Sequence, residues 1–317
     1  MARGFEIETA LSAPFSLAKQ RPLTVFVWGL LSLLPVLPIF VMFIPVWAAA
    51  AQSGHAPDEA TFSRIMAANV FAQLGQLLHW VASVLVMTAA IRAVLADRTK
   101  AEKGPFFLGF GMAELMVAVA FIALLLMVYG VLILLAMLGV AFGVAVWGLG
   151  TPWNGLLIAL YGLAAFAGVI WLALRLSLLC VVAADRRTLD LPAAWQATKG
   201  HVGRLLLLCL LLWLASIAVG LILLALMAPL GLGAFVLSGL RFEMFGHGSP
   251  LPVLTPTSIA VVAVAGVLFS LALCWFTGLS QAMWAAPFAS VWYQMRASAA
   301  VKAADATARD ALGSHEL

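Results

Sequence analysis

The chain has 317 residues, of which 65% are hydrophobic and 9% charged, and a formal net charge of +4. Soluble domains average about 45–50% apolar and about 25% charged residues, so one water-facing globule cannot hide this much apolar surface. The composition excludes an ordinary soluble enzyme or binding domain and implies an integral membrane protein.

Residues Met1–Pro22 are polar and amphipathic. Ser12 followed by Pro14 reads as the start of a surface helix. Leu23–Ala51 is the first expected span, too long an apolar run for a cleavable signal and therefore read as retained. It carries Pro35, Pro38 and Pro45, each of which removes a backbone donor, so neighbours must satisfy the freed carbonyls. Gln52–Arg64 reads as a short polar loop. Ile65–Ala96 is the second span, and its first half bears Asn69, Gln73, Gln76 and His79 along one helical face. Pro105–Met112 is a short aromatic interfacial piece. Leu115–Gly139 is the third span, extended toward Gly150, and Thr151–Asn154 is a turn. Gly155–Leu179 is the fourth span.

The connector that follows is the most informative stretch. It turns at Asp185-Arg186-Arg187 and forms a short helix from Leu191 to about His201, with Asp190 as its cap and Pro192 in its first turn. Trp195 and Leu191 can lie among headgroups while Gln196, Lys199 and Arg204 face water or phosphate. Leu205–Ala228 is the fifth span, Pro229–Thr257 a long Gly- and Pro-rich loop, and Ser258–Ala285 the sixth span. Pro287–Arg296 leaves the membrane with Trp292 and Tyr293 at interface depth, and Val301–Leu317 reads as a disordered tail.

Of the 17 Lys and Arg residues, 15 fall in the N-terminus, the 2–3 and 4–5 connectors and the C-terminus; Arg64 and Arg241 are the exceptions. That asymmetry places both termini on the cytoplasmic side. The expected fold is all-α: a polytopic bundle of six transmembrane helices as three helix pairs with amphipathic interfacial helices, in one domain over residues 1–300. Ala96-Asp97-Arg98 recurs as Ala184-Asp185-Arg186, 88 residues on, and Pro14, Pro105 and Pro192 are similarly spaced. The spacing suggests parallel repeats over 5–100, 101–187 and 188–296; chance alignment of short polar connectors is the alternative.

Ionisable groups within apolar segments are the functional candidates. Glu114 suits either a plain role at a helix N-terminus or a proton relay. Arg92 and Arg175 either snorkel to phosphate or form a headgroup or anionic-substrate site. Gln73, Gln76 and His79 either make interhelical hydrogen bonds or line a polar cavity. Gly139 and Gly143 match the close-packing Gly-x-x-x-Gly pattern. Cys180, Cys209 and Cys274 all sit in apolar runs, an odd set that speaks against disulfides or a metal site. No phosphate loop, zinc helix or nucleophile elbow is present, so no cofactor is expected, and the ring-like spread of basic residues does not suit nucleic acid.

Arg175-Leu176-Ser177-Leu178, Ala184-Asp185, Ala194-Trp195-Gln196-Ala197-Thr198-Lys199-Gly200 and Arg204-Leu205-Leu206 together resemble a bacterial membrane family whose spans accompany glycerophosphodiester phosphodiesterases in some proteins and stand alone in others. The closing Ala286-Pro287 to Tyr293 stretch is similar too, whereas Cys180-Val181 stands where that family usually has proline. The resemblance implies a multi-span bundle and no activity of its own. The expected function is a non-enzymatic module that transports or organises lipids or small amphiphiles, or that serves as a membrane-protein assembly partner. The alternative is a membrane enzyme acting on lipid headgroups. Membrane lipids are the expected partners, and oligomeric state is left open.

Overall fold

The computed structural model describes residues 5–38, 59–99, 105–150, 152–237 and 256–313. These form helices joined by turns, with no strand among them: α1 (Ile7–Gln20), α2 (Pro22–Leu33), α3 (Glu59–Thr99), α4 (Met112–Val146), α5 (Trp153–Leu176), α6 (Leu179–Arg186), α7 (Leu191–Thr198), α8 (Val202–Leu237) and α9 (Pro256–Gly313). Five helical segments are long and apolar enough to cross a membrane: Asn69–Ala96, Met112–Val146, Trp153–Arg186, Val202–Ala234 and Ile259–Val301. The described residues are all-helical, and the protein is a multi-pass membrane protein. Of the first expected span, Leu23–Ala51, the described part is α2, 12 residues long, with the turn after it; Pro45 and the rest lie outside the described residues.

Several boundaries move. α1 begins at Ile7, well before Ser12, and takes Pro14 into its interior. Its buried positions Ala10, Pro14 and Leu17 lie three or four apart, which is the amphipathic spacing, and Glu8 and Lys19 sit at the ends that suit the helix dipole. Glu59–Arg64, expected as loop, is the first turn and a half of α3. Between α3 and α4 the described chain makes only a 3-10 turn, Pro105–Phe107, in place of a second surface helix. Phe106 and Phe107 there adopt φ of 56° and 57°, a conformation that costs a non-glycine residue about 1 kcal/mol or more. The fourth span breaks at Ser177-Leu178, where the Ser177 hydroxyl donates to the Leu174 carbonyl at 2.8 Å. Its second piece, α6, buries Leu179 through Ala184 and packs along α4. α8 runs through Pro229 to Leu237, and the remaining loop residues 238–255 lie outside the described set. α9 takes up Pro287 and continues over Val301–Gly313, where a disordered tail was expected.

The chain divides into two units. One draws on Met1–Ala13, Ile91–Leu211 and Ala285–Leu317; the other on Pro14–Ala90 and Leu212–Trp284. In the first, α4 packs against α5 and α6, and α7 packs on α5. In the second, α2 crosses α9 at a pair of glycines. A Cβ on Gly29 would lie 1.6 Å from the Cys274 carbonyl oxygen, and one on Gly278 would lie 1.8 Å from that of Val25. Backbones this close exclude any side chain at the crossing, the principle behind small-residue packing in membranes. Trp28 and Val25 are fully buried beside it. The expected pair behaves differently. Gly139 receives the Tyr161 ring, 2.9 Å from where its Cβ would be, and Gly143 faces open space.

Candidate functional site

α7 is organised by its cap. Asp190 accepts a 2.9 Å hydrogen bond from the Ala193 backbone N–H, and Pro192 occupies the first turn, where a missing N–H costs nothing. That backbone bond, helped by the Arg186 guanidinium, holds the Asp190 carboxyl below its ordinary 3.8 despite an opposing desolvation effect. Gly200, at φ +82°, turns the chain from α7 into α8. With 3.6 residues per turn, positions 192, 193, 196 and 197 share one face of α7 and positions 194, 195 and 198 the other.

The first face lines a groove of about 770 Å³. Opposite it stand Asp185 and Arg186 at the end of α6, and Trp292, Met295 and Arg296 on α9. Asp185 accepts from the Trp292 indole N–H at 3.0 Å and from Arg296 Nη1 at 3.0 and 2.8 Å. Arg186 donates through Nη1 to Asp190 and lies 5.7 Å from the Trp292 ring centre. The groove thus carries two guanidiniums and two carboxylates, formally neutral, in ion pairs of the exposed kind.

The second face closes on α5. The Arg175 guanidinium lies 5.4 Å from the Trp171 ring centre and 5.1 Å from that of Trp195, and the two indoles meet edge to face. Thr198, fully buried, donates to the Arg175 backbone carbonyl at 3.0 Å and ties the two helices together. Arg175 Nη1 reaches the Trp195 carbonyl at a long 3.4 Å, while its Nε is buried without a hydrogen-bond partner.

The other candidates fall into place singly. Arg92 and Glu114 form an ion pair, with Nη2 donating to Oε2 at 2.9 Å; Glu114 is buried in the first turn of α4. Each was singled out for itself, yet they neutralise one another. His79 Nδ1–H donates to the Ser32 carbonyl at 2.8 Å. That carbonyl has lost its helical donor, because Pro35 has no N–H and the Val36 N–H turns to Leu33. Gln73 and Gln76, on the same helix, are exposed, so the structure does not gather the three into one polar cluster. Lys199 and Arg204 are exposed as well. Among the described residues an apolar cleft of about 480 Å³ runs between Pro229, Leu230 and Gly233 of α8 and Ala260, Val264 and Leu268 of α9.

Sequence reading named Asp185, Arg186, Asp190 and Trp292 as turn, cap and interface residues and missed the groove they build. The mixed charge of the Asp185–Asp190 run was the available signal. Its partners on α9 lie more than 100 positions away, beyond the reach of local pattern. The chain matches no family model, no curated protein and no solved structure.

Proposed function

We propose that the protein is a non-enzymatic module of the bacterial inner membrane that organises anionic lipid, with both termini in the cytoplasm and the Arg175 cage as its phosphate-binding element. One observation carries the reading: a guanidinium held between two indoles at the end of an apolar helix, whose protein acceptor among the described residues is the Trp195 carbonyl at a long 3.4 Å. The terminal N–H groups of that guanidinium keep donor capacity to spare, and a lipid phosphate is an acceptor that a guanidinium grips by two parallel bonds. The distribution of basic residues supports the orientation, and the apolar cleft of α8 and α9 suits an acyl chain. The alternative of headgroup catalysis loses its main candidates, because Glu114 is neutralised by Arg92 and His79 is engaged on a backbone carbonyl.

The test is native mass spectrometry of the full chain purified in mild detergent with phosphatidylglycerol. Arg175→Gln should retain roughly tenfold less anionic lipid than the parent, the scale of one charge-assisted hydrogen bond. Arg175→Lys should recover only part, since an ammonium cannot stack as a planar fork. Equal retention by the parent and Arg175→Gln would overturn the reading.

A further inference from the structure

A second ligand site lies in the groove on the other face of α7. We propose that it binds a phosphate ester carrying an ammonium group, the chemistry of a phosphoethanolamine headgroup, with phosphate on Arg186 and Arg296 and ammonium on the Asp185 and Asp190 carboxylates. The inference rests on the reading above only in taking the protein to sit among lipids.

Three observations lead there. The first is charge balance. Two guanidiniums and two carboxylates face one groove of about 770 Å³, so its own field favours neither a bare anion nor a bare cation. A zwitterion places one phosphate beside the two guanidiniums and one ammonium beside the two carboxylates, so the groove stays neutral with its Arg–Asp contacts in place. The second is unspent donor capacity. Arg186 and Arg296 each engage their carboxylate through Nη1 alone. A guanidinium has five N–H donors, so the remaining edge of each has no protein acceptor among the described residues. Two such edges in one groove match the geometry in which arginine grips phosphate by two parallel bonds. The third is depth. Asp185 and Arg186 end one apolar segment and Arg204 lies near the start of the next, so the groove opens where headgroups lie. Trp292, anchored by its indole N–H on Asp185, is a residue type that settles at that level.

The carboxylates distinguish this site from the Arg175 cage. An anionic lipid would meet Asp185 and Asp190 as repulsive neighbours; an ethanolamine headgroup would meet them as acceptors. A choline headgroup carries the same charge but no N–H donor for them.

The full chain is purified in mild detergent and equilibrated with an equimolar mixture of phosphatidylethanolamine, phosphatidylcholine and phosphatidylglycerol, and retained lipids are counted by native mass spectrometry. The expected result is retained phosphatidylethanolamine in excess over phosphatidylcholine, with that excess falling roughly tenfold in Arg296→Gln and in Arg186→Gln. Lys199→Gln, exposed and outside the groove, should leave it unchanged. Asp190→Asn keeps an acceptor for the Ala193 N–H, and so the fold of α7, but removes the partner charge; it should lower the ethanolamine preference as well. Soluble O-phosphoethanolamine is then added. Displacement of the lipid identifies a site that also accepts the free ester, and failure to displace identifies a site for the membrane-anchored headgroup; either result with an intact ethanolamine preference supports the proposal. It is overturned if phosphatidylcholine is retained as well as phosphatidylethanolamine, or if Asp190→Asn and both arginine variants keep the parental preference. Arg175→Gln should leave the ethanolamine preference intact, so a loss confined to phosphatidylglycerol in that variant separates the two sites.

Discussion

Glu114 is buried in the first turn of α4, and its charge is answered by Arg92, itself half-buried. Removing one member of such a pair strands the other. Glu114→Gln should therefore cost about 2 kcal/mol, read as a lower thermal midpoint in detergent, and the double variant Arg92→Gln, Glu114→Gln should cost less than the two single changes together. Asp190 gives a pH signature. Its carboxyl lies below the ordinary value chiefly because the Ala193 N–H donates to the charged form. A depressed folded value means that the cap's contribution is fully present above the ordinary carboxylate range and is lost as pH falls through the depressed one. The start of α7 should loosen only at pH below the ordinary carboxylate range, seen as titration of the Ala193 amide resonance, and Asp190→Asn should abolish that titration. At this scale the sequence made Glu114, Arg92 and His79 conspicuous, since polar groups in apolar helices stand out. It could not say that Glu114 faces Arg92 or that His79 faces the Ser32 carbonyl, because a partner in space leaves no local trace.

The helices taught a different lesson through their prolines. In water a proline marks a helix boundary, since freed carbonyls find solvent. In hydrocarbon a terminated helix exposes several backbone groups with nothing to bond, so continuing past the proline costs less. Pro229 and Pro287 lie inside helices long and apolar enough to cross a membrane, which is why the expected end of α8 was misplaced; Pro14 lies inside α1, which is not one of those helices. Pro35 is the exception, and there His79 supplies the missing donor. His79→Phe should leave the Ser32 carbonyl unsatisfied and cost about 1–3 kcal/mol. The helix crossing follows similar logic. Gly278→Ala drives a methyl into the Val25 carbonyl and should destabilise by about 1–3 kcal/mol, whereas Gly143→Ala, facing open space, should be neutral or slightly stabilising. Comparing the two thermal midpoints checks both. A Gly-x-x-x-Gly spacing pointed to the second site; the first has one glycine on each of two distant helices and no spacing to betray it.

Across the whole chain, composition alone was enough to establish a multi-pass helical membrane protein, because burying or lipid-solvating this much apolar surface leaves no other class. The length of individual helices was less legible. α9 has 58 residues, about 87 Å at 1.5 Å per residue, against a hydrocarbon core of about 30 Å. Much of it must stand outside the bilayer. Protease added to sealed inside-out vesicles should cut the segment beyond Val301, and protection of that segment would contradict the proposed cytoplasmic C-terminus.

The groove also carries an order of assembly. Arg186 meets Asp190 four residues later, so that contact can form as soon as the connector leaves the ribosome. Asp185 must wait for Trp292, 107 residues downstream, which at ordinary elongation speeds of about 5–20 residues per second is a delay of roughly 5–20 s. During that interval the carboxylate has neither its indole nor its guanidinium. The pocket is therefore among the last features to mature during biosynthesis, and nascent chains arrested before α9 would emerge with the connector in place and the groove unbuilt.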